Sequence, residues 1–203
     1  MRDRIFWLGH STVKITGEKV IYIDPWKLKS AEPADLILIS HSHYDHLSAE
    51  DVAKIRKADT VILAAPDAAS ALTGDVRALR PGDKVRVQGV AVEAVPSYNT
   101  NKAFHPRNND WIGFVVTVGG QRIYYAGDTD VVPEMNHIRA DIAIVPVGGT
   151  YTMTAEEAAQ AVHAIRPKLA IPIHYGDIVG SRADAERFAA LCQVPVDIKP
   201  VTR

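Results

Sequence analysis

The segment Ile39-Ser-His-Ser-His-Tyr-Asp-His-Leu-Ser48 holds three histidines and an aspartate within the six positions 41–46. It directly follows the short apolar run Asp35-Leu-Ile-Leu-Ile39, which is rich in β-branched residues and predicts a buried strand. Ser48, with Asp51 three positions later, predicts the N-cap of a helix. The ligand-type side chains therefore begin where a strand ends and a loop opens.

This loop is a candidate metal site. His41 and His43 lie two positions apart, so on an extended segment their side chains point to the same side and can hold one ion. Asp45 and His46 follow where the chain turns, and they can face a second ion. Such ligands suit zinc, with manganese or iron as the alternatives. Surface histidines in a polar loop would be the plainer interpretation, but the density of ligands at a strand end favours one or two divalent metals.

The motif His41-Ser-His-Tyr-Asp-His46 resembles the metal-binding motif of the metallo-β-lactamase superfamily. Further segments, in the family's order along nearly the whole chain, resemble its UlaG-like branch of small metal-dependent hydrolases: Trp7-Leu-Gly-His-Ser11, Ile23-Asp-Pro-Trp26, Tyr125-Ala-Gly-Asp-Thr-Asp130, Pro146-Val-Gly-Gly149 and Pro172-Ile-His-Tyr-Gly176. The resemblance implies an α/β (α+β) fold, a four-layer αβ/βα sandwich of two mixed β-sheets with helices on the outer faces. It implies less about substrate, since one fold hosts many chemistries.

Length and composition fit a globular protein. The chain has 203 residues, 47% of them hydrophobic, which suits a single domain over 1–203 with a substantial core. Basic and acidic residues nearly cancel, 23 against 24. Because no global field draws the protein to nucleic acid or to an anionic membrane, we expect neither partner and favour a small-molecule substrate. The sequence does not give the oligomeric state, and a homo-oligomer stays open.

The cysteine content and the N-terminal residues bear on the compartment. Cys192 is the only cysteine, so it cannot form an intrachain disulfide, and we interpret it as a small core residue. No charged-then-apolar leader precedes the first predicted strand, and no apolar stretch approaches the ~20 residues that span a bilayer. We therefore expect a cytoplasmic protein.

The rest of the chain alternates β-prone runs with helical segments. Turn residues separate predicted strands at 4–8, 12–16, 20–23, 35–39, 60–64, 76–79, 84–87, 90–95, 113–118, 122–125, 141–145, 168–173 and 196–201. Helices are predicted over 48–56, over 66–72, from Thr154 to before Pro167, and from Ser181 to about Cys192. Both halves run from antiparallel strands into strand–loop–helix units.

Two distant residues lie in settings like that of the histidine-rich loop. Asp128 follows a strand through Gly127, although a turn aspartate that bonds its own backbone is an alternative. His174 ends an apolar strand, where a hydrogen-bonded structural histidine is equally common. The resemblance implies that Asp128 bridges two metals and that His174 completes the second metal's ligands, with His41 and His43 on the first ion and Asp45, His46 and His174 on the second.

The sequence departs from the family pattern in one place. Most relatives have a further histidine in the loop after the hairpin, and here Asn99 stands at that position. Asn is a weak ligand for a borderline transition metal. Either His105, six residues on, replaces the missing ligand, or His105 contacts substrate and the first site is weak. Asn99 and Arg107 in the long polar loop 96–110, together with Tyr151 and Tyr175, are the other candidate substrate contacts.

His10 and Asp24 are candidates for a supporting role. Metal-bound imidazoles need a partner for their other ring nitrogen, commonly a carboxylate, and Asp24 at a strand end could supply one. His10 could line the cavity or donate to substrate. A structural role is the alternative for both residues.

The predicted site suits a metal-activated hydroxide that attacks a small ester, lactone, amide or phosphoester. The resemblance implies that Asp45, with His174, belongs to the catalytic set and that Asp45 takes the proton. Two alternatives remain. A nuclease usually adds a basic surface that this chain lacks, and a non-catalytic or regulatory member of the fold gains some support from Asn99.

Overall fold

The first half of the chain forms a six-stranded sheet whose strands follow one another in sequence order. The strands are β1 (Ile5–Gly9), β2 (Thr12–Ile15), β3 (Ile21–Ile23), β4 (Ala34–Ile39), β5 (Arg56–Ala64) and β6 (Asp75–Ala78). β1 to β3 are antiparallel, and β3 to β6 are parallel. The computed structural model describes residues 1–30 and 32–202.

The second half forms another mixed sheet of the same size, in the order β12-β11-β10-β9-β8-β7. Its strands are β7 (Lys84–Val87), β8 (Val90–Pro96), β9 (Ile112–Val118), β10 (Gln121–Tyr125), β11 (Ile142–Pro146) and β12 (Leu169–Ile173). β7 to β10 are antiparallel, and β10 to β12 are parallel. Each half therefore repeats the change from hairpins to parallel units that the sequence predicts.

The two sheets share one large apolar core, and helices cover their outer faces. Alternate residues of β4 point to opposite sides, so Leu36 and Leu38 join the central core while Ile37 and Ile39 pack with Val52 of the covering helix. Burial on both faces explains why this strand is an uninterrupted apolar run. The four-layer sandwich is confirmed.

Four α-helices are present in the described residues: α1 (Ala49–Ile55), α2 (Pro66–Ser70), α3 (Ala155–Ile165) and α4 (Arg182–Leu191). Ser48 caps α1 by accepting from the backbone N–H of Asp51 at 3.2 Å. Thr154 and Glu157 form the predicted capping box of α3. These local signals place each helix start correctly.

The predicted C-terminal strand over 196–201 is wrong. This segment makes only isolated bridges, Val196 with Ala170 and Val201 with Trp7. Ala170 belongs to the second sheet and Trp7 to the first, so the segment crosses between the sheets and extends neither. Pro195 and Pro200 at its ends lack the N–H that a ladder needs. β5 also differs, because it begins at Arg56, directly after α1.

No helix in the described ranges is long and apolar enough to cross a membrane. The assignment of the whole chain to one domain stays a prediction.

Candidate metal centre

Residues that immediately follow strands in both sheets meet at one edge of the sandwich. Gly9 ends β1 before His10, Ile39 ends β4 before Ser40-His41, and Ile173 ends β12 before His174. Strand ends in layered α/β folds converge in this way, and loops there carry side chains that the rigid sheets hold in place.

The first cluster consists of His41, His43 and His105, whose ring nitrogens approach one another closely. His41 Nε2 lies 3.1 Å from His43 Nδ1, and His43 Nδ1 lies 3.2 Å from His105 Nε2. Ligand atoms of all three residues lie within 4.8 Å of one another. The tertiary structure thus brings His105 beside His41 and His43, while its role as a replacement ligand stays a prediction.

The second cluster consists of His10, Asp45, His46 and His174, again with ligand atoms within 4.8 Å of one another. His10 Nε2 lies 2.9 Å from Asp45 Oδ2, and the rings of His10 and His174 pack at 4.0 Å between centroids. Three of these residues were predicted to act together. His10, predicted to line the cavity, to donate to substrate or to have a structural role, lies beside these three side chains, and its role stays a prediction.

Asp128 lies between the clusters. Its Oδ2 is 3.2 Å from His105 Nε2 and 3.2 Å from His174 Nε2, and its Oδ1 is 3.3 Å from His46 Nε2. One carboxylate therefore faces residues of both clusters, as a bridging ligand would. The plainer alternative, a turn aspartate bonded to its own backbone, does not describe these contacts.

The loop after β8 is anchored so that His105 points inward. Asp130, which is buried, accepts from the backbone N–H of Thr100 at 2.7 Å and pairs with Lys102. The backbone N–H of Asn99 donates to the carbonyl of His105 at 2.8 Å. Loop segments fixed by buried carboxylates in this way lose the freedom expected of a long polar loop.

Asn99 supports His105 from the side away from the first cluster. Its side-chain amide donates to the Tyr151 carbonyl at 2.7 Å, and the same carbonyl lies 3.2 Å from His105 Nδ1. Asn99 Nδ2 also lies 3.2 Å from His105 Nδ1. With its proton on Nδ1, His105 would donate to the Tyr151 carbonyl and turn the Nε2 lone pair toward His43 and Asp128. The backbone of Tyr151 thus orients His105.

Asp24 is a fully buried hub behind the second cluster. Its Oδ2 accepts from Tyr125 at 2.7 Å and from Ser40 Oγ at 2.6 Å, and it lies 2.7 Å from His46 Nδ1. Its Oδ1 accepts from the backbone N–H of Ser40 at 2.7 Å. The carboxylate favours a proton of His46 on Nδ1, and Nε2 faces Asp128. The predicted supporting role of Asp24 behind a metal ligand stays a prediction.

Several residues of the site have left-handed backbone conformations. Of the eight non-glycine residues with positive φ in the described chain, four belong here, with φ between 47° and 61°: His10, Asp24, His105 and His174. Each costs about 1 kcal/mol relative to a right-handed conformation. Strain concentrated at one cluster indicates a functional site.

The charges of the site are strongly coupled. Burial lowers the pKa of His41, and so does the nearby His46, which favours the neutral imidazole that binds metals. Burial raises the pKa of Asp128, but the neighbouring histidines, led by His174, outweigh burial and hold it well below its usual range. Asp128 and Asp24 likewise outweigh the burial that lowers the pKa of His46, and they raise it well above its ordinary value.

Hydrogen bonding alone does not account for these side chains. His43 Nδ1 faces two other imidazole nitrogens. Both ring nitrogens of His174 and Nδ1 of His10 are buried without a hydrogen-bond partner, although His174 Nε2 lies close to Asp128. Buried imidazole nitrogens without hydrogen-bond partners, converging beside a carboxylate, fit the ligand set of a divalent metal.

A cavity of about 250 Å³ opens onto the clusters. Tyr151, a predicted substrate contact, lines it together with His43, Tyr44, Asp45, Phe104, His105, Asp128 and Ile178.

The sequence interpretation did not select Ser40, which lies directly before the histidine motif. Its hydroxyl contacts the rings of His41 and His46. The sequence interpretation also missed Trp111, whose ring lies 4.6 Å from that of His41, because no local pattern connects the two.

Comparisons with known proteins show the family of the chain. The family model of the beta-lactamase superfamily domain matches residues 4–174. A UPF0173 metal-dependent hydrolase of Thermoplasma acidophilum is 37% identical over 209 residues, covering 93% of this chain and 90% of the relative. One from Staphylothermus marinus is 34% identical and covers 97% and 94%.

Solved structures show the same architecture. A crystal structure from Parabacteroides distasonis, assigned as a metal-dependent hydrolase, superposes with a TM-score of 0.86 at 32% identity and covers 98% of this chain and 93% of its own. Igni18, a metallo hydrolase from Ignicoccus hospitalis, superposes with a TM-score of 0.75 at 23% identity, covering 97% and 94%. The second likeness supports the fold alone.

Proposed function

The chain belongs to the beta-lactamase superfamily as one of its metal-dependent hydrolases, and we propose that it cleaves a small ester, lactone, amide or phosphoester with a metal-activated hydroxide. The observation that carries this proposal is the convergence of two ligand-type clusters on Asp128 at the floor of an accessible cavity. Zinc suits the nitrogen-rich first cluster best, with manganese or iron as alternatives. Its place in the UlaG-like branch stays a prediction.

In this proposal His41, His43 and His105 would hold one ion, and Asp45, His46 and His174 would hold a second, with His10 beside them. Asp128, which faces both clusters, would contribute to both sites. A bound divalent metal supplies a water whose pKa falls to about 7 and a positive charge for a developing oxyanion. The chain's own residues provide the orientation and the proton transfer.

Asp45 is the residue best situated to orient the attacking water and take its proton. It lines the cavity, and His10 Nε2 holds one of its oxygens at 2.9 Å. Accepting a proton from water at the cavity floor is the general-base role that this carboxylate would play. Asp24 and Tyr151 act indirectly, because they fix the tautomers of His46 and His105.

The alternatives have less support. The nuclease reading needs a basic surface, whereas the chain carries 23 basic against 24 acidic residues. The non-catalytic alternative rests on Asn99, and the approach of His105 Nε2 to His43 Nδ1 at 3.2 Å supports a replacement ligand instead. We further propose a cytoplasmic protein that acts on a small molecule.

The variant Asp45→Asn tests the mechanism. We expect turnover of p-nitrophenyl esters and bis-p-nitrophenyl phosphate to fall by about 10²- to 10⁴-fold, because the general base is lost. Metal content, measured by mass spectrometry, separates loss of the base from loss of an ion, because Asp45 also belongs to the second cluster. Asp59→Asn, an exposed carboxylate distant from the cavity, is the matched control. Unchanged turnover in Asp45→Asn would overturn the proposed mechanism.

A further inference from the structure

We propose that the cavity selects uncharged substrates with an apolar acyl or aryl arm, which lies on a rim formed by Tyr44, Phe104 and Ile178. This inference rests on the hydrolase function proposed above and narrows its substrate class. We name these three residues the apolar rim.

The apolar rim accounts for most of the unusual hydrophobic exposure of the molecule. In the described chain the large hydrophobic side chains that are exposed are Tyr44 at 68%, Phe104 at 49%, Ile178 at 37% and Val201 at 51%. The first three line the same cavity of about 250 Å³. Scattered exposed hydrophobics need no explanation, but a group around one cavity indicates a ligand contact.

Each rim residue lies on a segment that also supplies a ligand-type side chain. Tyr44 stands between His43 and Asp45, and Phe104 directly precedes His105. Ile178 follows His174 by four positions. Because the same backbone holds both, the rim is placed at a fixed distance from the clusters, as a subsite for one end of a substrate must be.

Ring contacts hold the two aromatic residues of the rim. Tyr44 packs edge-on against Trp26, with 6.0 Å between centroids, and Phe104 packs edge-on against Tyr151 at 4.8 Å. Such pairs prefer this geometry and reduce the mobility of exposed rings. The rim is thus a prepared surface for an apolar group.

The charges around the cavity argue against a phosphate-bearing substrate. None of the described residues that line it is Lys or Arg. The cations on nearby segments already have acidic partners: Lys102 pairs with Asp130, Arg107 with Glu134, and Lys27 with Asp177. Sites for phosphoryl groups commonly add such cations to clamp the oxygens, so the rim and its surroundings favour a neutral carboxylic ester, lactone or amide.

A second protein molecule fits this surface less well than a small substrate. A stable interface buries roughly 800 Å² on each partner, and three partly exposed side chains around an opening fall short of that area. Asp45 and Asp128 lie at the floor of the opening. A packed protein interface would cover these two carboxylates and remove their contact with water.

Hydroxamates test the rim without turnover, because their head group binds metals and their tail length can be varied. Hexanohydroxamate should bind the metal-loaded wild type roughly 10- to 100-fold more tightly than acetohydroxamate, as the additional methylenes leave water. In the double variant Tyr44→Ser/Phe104→Ser, this ratio should fall to roughly threefold or less. Calorimetry gives both dissociation constants, and metal content checks that the centre is intact.

Val201→Ser is the matched control, since Val201 is as exposed as Phe104 but does not line this cavity. It should keep the wild-type ratio. Equal binding of the two hydroxamates by wild type would overturn the inference that the apolar rim binds the apolar arm of a substrate. So would a wild-type dimer that dissociates in the double variant, because it would assign the surface to a second copy of the chain.

Turnover separates this inference from the proposed function. Wild type should cleave p-nitrophenyl hexanoate with a higher kcat/KM than p-nitrophenyl acetate, by roughly two- to fourfold per methylene, and should prefer both to p-nitrophenyl phosphate. A preference for the phosphate would overturn the inference while leaving a metal-dependent hydrolase. Ester turnover that chelator treatment does not reduce would instead overturn the proposed function.

Discussion

The two halves of the molecule contribute to the candidate metal centre in different ways. The first half supplies four ligand-type residues from the single loop after β4, His41 to His46. The second half supplies His105, Asp128 and His174 from three separate loops, up to 69 positions apart (174 − 105). His10, from the first turn, joins them although it is distant in sequence from every one of these groups.

This difference separates ligand-type residues that local sequence spacing predicts from those that only the folded chain brings together. The spacing of the histidine-rich loop predicts a metal site because neighbouring side chains share a strand end. Asp128 and His105 each resemble ordinary loop residues until the second sheet packs on the first. Variants that change residues of only one half therefore show how far metal binding and turnover depend on that half.

Asp128→Asn should have the largest effect, because it removes the one charge that faces both clusters. We expect metal content to fall below the roughly two ions per chain that the wild type would hold. Ester turnover should drop by about 10³-fold or more. Mass spectrometry and initial rates measure both. Retention of full metal content would show that the halves hold their ions independently.

His105→Ala asks whether the second half completes the first cluster. Metal content should fall from about two ions to about one, since only His41 and His43 of that cluster remain. His163→Ala, an exposed histidine on α3, is the matched control and should not change the content. About one ion in both wild type and His105→Ala would mean that the first cluster is weak and that His105 serves the substrate or the loop.

Asp24→Asn tests the support that lies behind the loop of the first half. Loss of the carboxylate that orients His46 should weaken metal affinity by about 10- to 100-fold. Because Asp24 is fully buried, Tyr125→Phe provides a milder change that removes one hydrogen bond to the same carboxylate. Affinity from competition with a chelator should fall in the order wild type, Tyr125→Phe, Asp24→Asn, and any other order would contradict the assigned role.

Thr154→Ala should have the smallest effect of these variants on the protein. It removes the N-cap of α3, a local sequence signal in the second half. Loss of the α3 cap should reduce the free energy of unfolding by about 1 kcal/mol. Denaturant titration of the metal-free protein measures it. Metal content should stay at the wild-type level, and a change in it would show that the α3 cap also positions the centre.

Much of the fold could be predicted from the sequence. Turn residues, apolar runs and capping residues placed most strands and all four helices of the described chain, because these signals act within a few positions. The 196–201 segment was the exception. Its β-prone residues suit a strand, but the space between the two sheets leaves it only single bridges.

The candidate site was predictable to a lesser degree. The loop 41–46 and its use as a ligand cluster follow from spacing, and the family resemblance extends the assignment to Asp128 and His174. Neither spacing nor resemblance could choose between Asn99 and His105 for the missing position. That choice depends on how Asp130 and the Tyr151 carbonyl hold the loop.

The amino-acid order is enough to establish the family, the layered fold and the histidine-rich loop, since these rest on local patterning and motif order. The approach of His105 to His43, the entry of His10 among the ligand-type residues and the grouping of Tyr44, Phe104 and Ile178 at one opening depend on the packing of distant loops. Contacts between residues far apart in the chain arise only when the two sheets close on their common core, and no local signal encodes them.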